Sequence, residues 1–155
     1  MKKRSAATVP NGDRVLQFMR TIWAIDHELE RVSKRMENSH GVTVAQRMTL
    51  LLIGRDPDAS AAGLAALMHM HAGTMSGILK RLEAGGFIAR RSHEGDARRH
   101  ALMLTPKGTA VNRQRRGTLE DTVRGLLKSH RPSEVAAAER VLGGLASRLR
   151  ETAEA

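Results

Sequence analysis

Ten cationic side chains fall between residues 71 and 116: Lys80, Arg81, Arg90, Arg91, Arg98, Arg99, Lys107, Arg113, Arg115 and Arg116. Only three acids accompany them, Glu83, Glu94 and Asp96. This stretch, less than a third of the 155 residues, carries +7 of the formal net charge of +10. Clustered cations attract a polyanion, because neutralising phosphates releases counterions whatever the base sequence. Reading a sequence also requires small groups that admit a base edge. Residues 71–81 supply both kinds: His71, Gly73, Thr74 and Ser76 come first, then Lys80 and Arg81. On one helix face, the small residues approach a major groove and the long cations reach phosphates.

Other residue types suggest other chemistry. Seven histidines raise the question of a metal. His69 and His71 lie two apart and the rest are scattered, with no cysteine and no His-x-x-x-His pair. No metal site is assigned on that pattern, and a metal sensor is the least favoured reading. Asp26, Glu28 and Glu30 are close together, but 26 and 28 face different sides of a helix. With no nucleophile elbow or phosphate loop beside them, they indicate no enzyme and no cofactor. Arg20, Trp23 and His27 fall on neighbouring turns. A cation, a ring and an imidazole so placed would suit an aromatic carboxylate or a phenol, and they form the candidate ligand pocket.

Composition narrows the classes further. Aromatic residues make up 2% of the chain, namely Phe18, Trp23 and Phe87. That is too few for the stacking platforms of single-strand binders. The absence of cysteine leaves no disulfide or thiol-based switch and agrees with a reducing cytoplasm, where the protein is expected. No apolar run approaches the roughly 20 residues of a membrane span, and no apolar core follows Met-Lys-Lys-Arg to make a secretory leader.

The elements that position the basic stretch are legible around it. Ser60 is a candidate N-cap, and Leu64, Leu67 and Met68 recur at helical spacing. His69 to His71 break the pattern; His tolerates positive φ better than most residues. Met75, Ile78, Leu79 and Leu82 then form the inner face of a second helix, which Gly85-Gly86 stops. Phe87–Arg91 and Arg98–Leu104 flank a charged loop and predict a hairpin. Thr105-Pro106 predicts a helix start. Asp96, two residues before Arg98, is placed to hold the loop or orient that guanidinium. Arg98 and Arg99, just past the tip, are placed to reach a neighbouring minor groove.

Flanking this unit, residues 11–38 form a long helix with a stripe from Val15, Leu16, Met19, Ile22, Trp23, Leu29, Val32 and Met36. Residues 43–55 form a helix with Val44, Met48, Leu51 and Leu52 inward. Residues 108–130 read as one long helix containing Gly117 and Gly125. A final helix follows Arg131-Pro132, with Val141, Leu142, Leu145 and Leu149 on one side. No sheet is available to cover the terminal stripes, so the first and last helices are the natural dimerisation pair.

Gly86-Phe87-Ile88, Asp96-Ala97-Arg98 and Leu104-Thr105-Pro106-Lys107-Gly108 together resemble the wing signature of the MarR family of winged-helix transcriptional regulators. The resemblance implies a mainly α fold of about six helices plus a two-stranded β-hairpin wing. Residues 43–108 would be the DNA-binding lobe, and 11–38 with 109–155 the dimerisation helices. It also implies a homodimer on a pseudo-palindromic double-stranded operator, released by a small-molecule effector held between the first helix and the lobe. Gly73, Thr74, Ser76 and Lys80 would face the major groove, Arg81, Arg90 and Arg91 would hold phosphates, and Arg98 would enter the minor groove. The leading expectation is a site-specific repressor responsive to an aromatic or phenolic ligand. The alternative is an architectural protein that coats DNA without a preferred site. His69, His71 and Gly77 depart from residues frequent in the family, so no operator sequence carries over.

Overall fold

In the computed structural model the described residues are 13–56, 58–93 and 96–154; at 92–93, 96–100 and 154 the description is of backbone only. The order is α1 (Arg14–His40), α2 (Val44–Ile53), α3 (Ala61–Leu67), α4 (Ala72–Ala84), β1 (Ile88–His93), β2 (Asp96–Leu104), α5 (Pro106–Arg113), α6 (Leu119–Lys128) and α7 (Pro132–Glu154). The two strands pair antiparallel. Short polar side chains start most of the helices. Asp13 accepts from the amides of Val15 and Leu16, Ser60 from Gly63, Thr105 from Gly108 and Thr118 from Asp121. Thr43 and Gln46 form a reciprocal capping box. Each cap satisfies an amide that the helix itself leaves unbonded, worth about 1 kcal/mol.

The core lies among α2, α3, α4 and the hairpin. Leu50, Ile53, Leu64, Met75, Ile78, Leu79, Leu82, Phe87, Ile88 and Leu102 are buried there. The four inward positions expected of α4 are all in this set. For α2 the expected face is only partly right. Met48 is 51% exposed, whereas Leu50 and Ile53 enter the core. This helix packs against α1, α4, α5 and β2, so it is covered on several sides and its apolar run selects no single face. Leu67 likewise points outward.

The largest departure is the stretch expected to be one helix over 108–130. It is two helices, giving seven helices among the described residues rather than about six. The cause is Arg47 of α2, only 3% exposed. Its Nη1 donates to the Val111 carbonyl, and its Nη2 donates to the carbonyls of Asn112 at 3.2 Å and Gln114 at 2.6 Å. Its Nε donates to Glu120 Oε1 at 2.7 Å, in the first turn of α6. The guanidinium satisfies carbonyls left open where α5 ends, and the carboxylate at the start of α6 balances its charge. Gly117, at φ +74°, turns the chain between them. Gly117 is therefore a linker residue rather than a helical one. A Cβ at Gly125, Gly143 or Gly144 would meet nothing within 4 Å in this chain, so these glycines make no close helix contact within it.

The terminal helices contribute little to this core. Met36 is the buried residue of α1, while Val15, Met19, Trp23, Leu126, Val141 and Leu149 are exposed. Among the described residues no helix is long and apolar enough to cross a membrane.

Removing one member of a buried ion pair leaves the other charge uncompensated and typically costs about 3–5 kcal/mol, against about 0–1 kcal/mol for an exposed pair. Chemical denaturation should therefore show Arg47→Ala destabilised on the larger scale, with Arg31→Ala, which breaks an exposed pair with Glu28, close to wild type. Equal effects would contradict the role given to Arg47.

Candidate nucleic-acid interface

The turn between α3 and α4 is closed by backbone hydrogen bonds. The His69 amide donates to the Ala66 carbonyl at 3.1 Å and the Met70 amide to the Ala65 carbonyl at 2.9 Å. That paired closure requires a left-handed residue in the middle. His69 occupies it at φ +51°, the one positive-φ residue other than glycine among those described. The chain then turns into α4 with His71 as N-cap, and the imidazole makes no capping hydrogen bond. His71 is exposed beside the first amides of α4, where a phosphate would find both donors and the positive end of the helix dipole.

Burial of Met75, Ile78, Leu79 and Leu82 fixes which side of α4 faces out. Gly73, Thr74, Ser76, Lys80 and Arg81 are all exposed on it. A Cβ at Gly73 or Gly77 would meet nothing within 4 Å, so internal packing does not require glycine at either position. Glycine inside a helix costs about 1 kcal/mol relative to alanine. The outer surface of α4 is thus shallow at its first half and cationic at its second.

The same closure recurs at the far end of α4. The Gly86 amide donates to Glu83 and the Phe87 amide to Leu82, both at 2.9 Å, with Gly86 at φ +72°. The Leu-Thr-Pro-Lys-Gly segment locks onto this turn. Thr105 donates its amide to the Phe87 carbonyl at 3.1 Å and its hydroxyl to the Gly86 carbonyl at 2.6 Å. Lys107 Nζ donates to the Gly85 carbonyl at 2.7 Å and lies 4.4 Å from the centre of the Phe87 ring. At Gly108 a Cβ would stand 1.9 Å from the Phe87 carbonyl oxygen, so only glycine fits. Lys107, counted in the basic cluster, is thereby held in the base of the hairpin rather than offered to a ligand.

The strands run further than expected, pairing Ile88 with Leu104 through Ser92 with His100, then His93 with Asp96 after an irregularity. Arg90 pairs with Glu83 at 3.2 Å and ties the wing to α4, while Arg91 is exposed. Asp96, Arg98 and Arg99 belong to β2 by backbone, and their side chains lie outside the described residues. Arg20, Trp23 and His27 stand exposed on α1, with Trp23 at 77%. Among the described residues no three His, Asp or Glu side chains come together. Arg47 escaped notice in the sequence. The only local sign was a cation between buried positions of a short apolar helix.

Two helices joined by a tight turn, supported by α2 and followed by a two-stranded hairpin, define a winged helix-turn-helix protein. Residues 40–99 match the model of the MarR family. Over that stretch, less than half of the chain, it is similar to that winged-helix family. It is 27% identical over 95 residues to the HTH-type transcriptional regulator TtmR of Methylorubrum extorquens (strain PA1), covering 61% of this chain and 49% of that one. The chain thus spans about half the length of TtmR. It is 26% identical over 107 residues to the organic hydroperoxide resistance transcriptional regulator of Bacillus subtilis (strain 168), covering 69% and 72% respectively. The S. aureus MepR–DNA complex shares the fold at a TM-score of 0.71 and 19% identity, over 85% of this chain and 97% of that one. These relatives are regulators, and the family is not an enzymatic one.

Gly108→Ala should destabilise the fold by at least about 1–3 kcal/mol, the usual cost of forcing an atom into a packed site. Gly77→Ala, facing open space inside a helix, should stabilise it by up to about 1 kcal/mol. Thermal denaturation of the two variants checks both signs; a harmless Gly108→Ala would contradict the close approach at the wing base.

Proposed function

We propose that this protein is a sequence-specific double-stranded-DNA-binding transcriptional regulator, a repressor acting in the cytoplasm as a homodimer. The observation that carries the reading is the outer face of α4, where glycines with no packing role adjoin exposed Thr74, Ser76, Lys80 and Arg81. Their small size permits close approach to base edges. Thr74 and Ser76 offer hydroxyls to those edges, and Lys80 and Arg81 reach flanking phosphates. His71 and Arg91 add phosphate contacts, Arg90 contributes while holding Glu83, and Arg98 and Arg99 extend from the wing into a minor groove. Asp96 steadies the wing tip. The regulator names of the relatives and the DNA bound to MepR support the same reading.

The exposed apolar stripes of α1, α6 and α7 support dimerisation, since a second copy would remove them from water. Two readers on a two-fold axis place half-sites one helical turn apart, roughly 10 bp centre to centre. A small effector would act by changing the separation of the lobes. Trp23 lies on the stripe that a partner would cover, with Arg20 and His27 about one turn to either side, which supports the three as part of an aromatic-acid pocket. The chain has no cysteine, so a thiol-based peroxide response does not carry over to it.

Anisotropy titrations of labelled duplex at several salt concentrations test this reading. Lys80→Ala should weaken binding and lower the slope of log affinity against log salt by about 1, as expected for one lost phosphate contact. Gly77→Ala should weaken binding despite a more stable fold. A slope and affinity unmoved by both variants would remove α4 from the interface.

A further inference from the structure

Sulfur in this chain is carried by eight methionines and no cysteine. Their surroundings set them apart. Met36 and Met75 are sealed from solvent, at 0% exposure. Met19, Met48 and Met103 are exposed. Met68 and Met70 are packed against the core yet only partly buried, so solvent still reaches them. These two flank His69, the left-handed residue of the turn that enters α4. Met68 is the C-cap of α3, and the Met70 amide closes the turn on the Ala65 carbonyl at 2.9 Å. Met68 Sδ also accepts from a wholly buried hydroxyl, Thr49 Oγ1 of α2, at 3.4 Å. That hydroxyl has one proton, and the Ala45 carbonyl is its stronger acceptor at 2.9 Å. The thioether thus sits where α2, α3 and the turn meet, held by packing and one weak hydrogen bond.

We infer that Met68, with Met70 beside it, is an oxidation site through which a hypohalous acid loosens α4. In the net reaction with hypochlorous acid, the thioether sulfur gains one oxygen and loses two electrons. Chlorine takes those electrons and leaves as chloride, and the proton of the acid passes to water. The product is methionine sulfoxide, a polar, chiral group in place of a flexible apolar one. Neither side of the sulfur accommodates the new oxygen. Toward Thr49, the 3.4 Å gap would have to hold a sulfur–oxygen bond and an O–H···O contact of about 2.7 Å, and both do not fit. On the other side, the oxygen makes a polar group of a side chain seated against apolar residues, and hydration draws it outward. Either way Met68 leaves the joint. The turn that holds His69 at φ +51° then loses the packing that keeps it closed. Met48 and Met103 are exposed and oxidise without that consequence, and Met36 and Met75 are shielded from the oxidant. Loss of DNA as the outcome rests on the regulator reading; the modification site itself does not.

The test treats the full chain with graded hypochlorite, quenches with free methionine and locates sulfoxide by peptide mass spectrometry. Sulfoxide at Met68 should rise in step with a more than about tenfold loss of duplex affinity, the scale of a disrupted core contact. Reduction by methionine sulfoxide reductases should restore binding. The Met68→Leu/Met70→Leu variant keeps the volume without the sulfurs, so it should bind duplex as wild type does and resist the oxidant. The Met19→Leu/Met48→Leu/Met103→Leu variant should stay sensitive. Full affinity with Met68 oxidised, or a loss that tracks the exposed methionines instead, would overturn the proposal, and the wild-type chain alone decides between these outcomes. An untreated chain that binds no duplex would defeat the regulator reading alone. The melting temperature, measured without DNA, should still fall with Met68 sulfoxide, and an unchanged value would count against the site.

Discussion

A single buried guanidinium sets the geometry on which the other parts depend. Taking an arginine out of water is expensive unless its donors and its charge are both satisfied. Arg47 meets that condition only where it is, with the carbonyls of Val111, Asn112 and Gln114 on one side and Glu120 on the other. The requirement runs in both directions. The carbonyls at the end of α5 need donors, and the cation needs acceptors arranged as a helix terminus arranges them. The consequence is a fixed corner between α5 and α6. Because Arg47 belongs to α2, which packs behind α4, the corner and the candidate reader helix are positioned by the same element.

The second constraint lies at the base of the wing and explains a motif in physical terms. Gly86 turns the chain in a conformation that disfavours other residues, which presents the carbonyls of Gly85, Gly86 and Phe87 to the segment returning from β2. Thr105 and Lys107 occupy those carbonyls, and Gly108 comes so close to the Phe87 carbonyl that no side chain fits. Two glycines and a threonine nearly 20 residues apart thus fix where the hairpin leaves α4. α4 and the wing are then held at a set angle. The cation on the Phe87 ring belongs to this joint, so charge counting alone overstated the number of groups available to phosphate.

Much of the lobe was legible because its signals are local. Met75, Ile78, Leu79 and Leu82 recur at helical spacing, Gly86 follows them, and Thr105 precedes a proline; each depends on residues a few positions away. His69 was legible for the same reason, as a residue tolerant of positive φ where a turn was due. The break between α5 and α6 was not. Its stripe of Val111, Leu119, Val123 and Leu126 keeps helical periodicity across the gap, and the group that ends α5 lies 64 or more residues earlier in the chain. Periodicity also failed on α2, where burial on several sides puts Arg47 and Thr49 inside and Met48 outside. The terminal helices showed an unpartnered stripe in the sequence and show the same exposed stripe in the fold. Of the candidate site, the face of α4 was readable from residue size and charge.

The central claim is that this face of α4, presented twice, reads one DNA sequence. Selection of bound duplexes from a random-sequence pool at physiological salt tests it most directly. A dimeric reader should recover one pseudo-palindrome, its half-sites about 10 bp apart centre to centre. Recovery of unrelated sequences bound no more tightly than random duplex would contradict it.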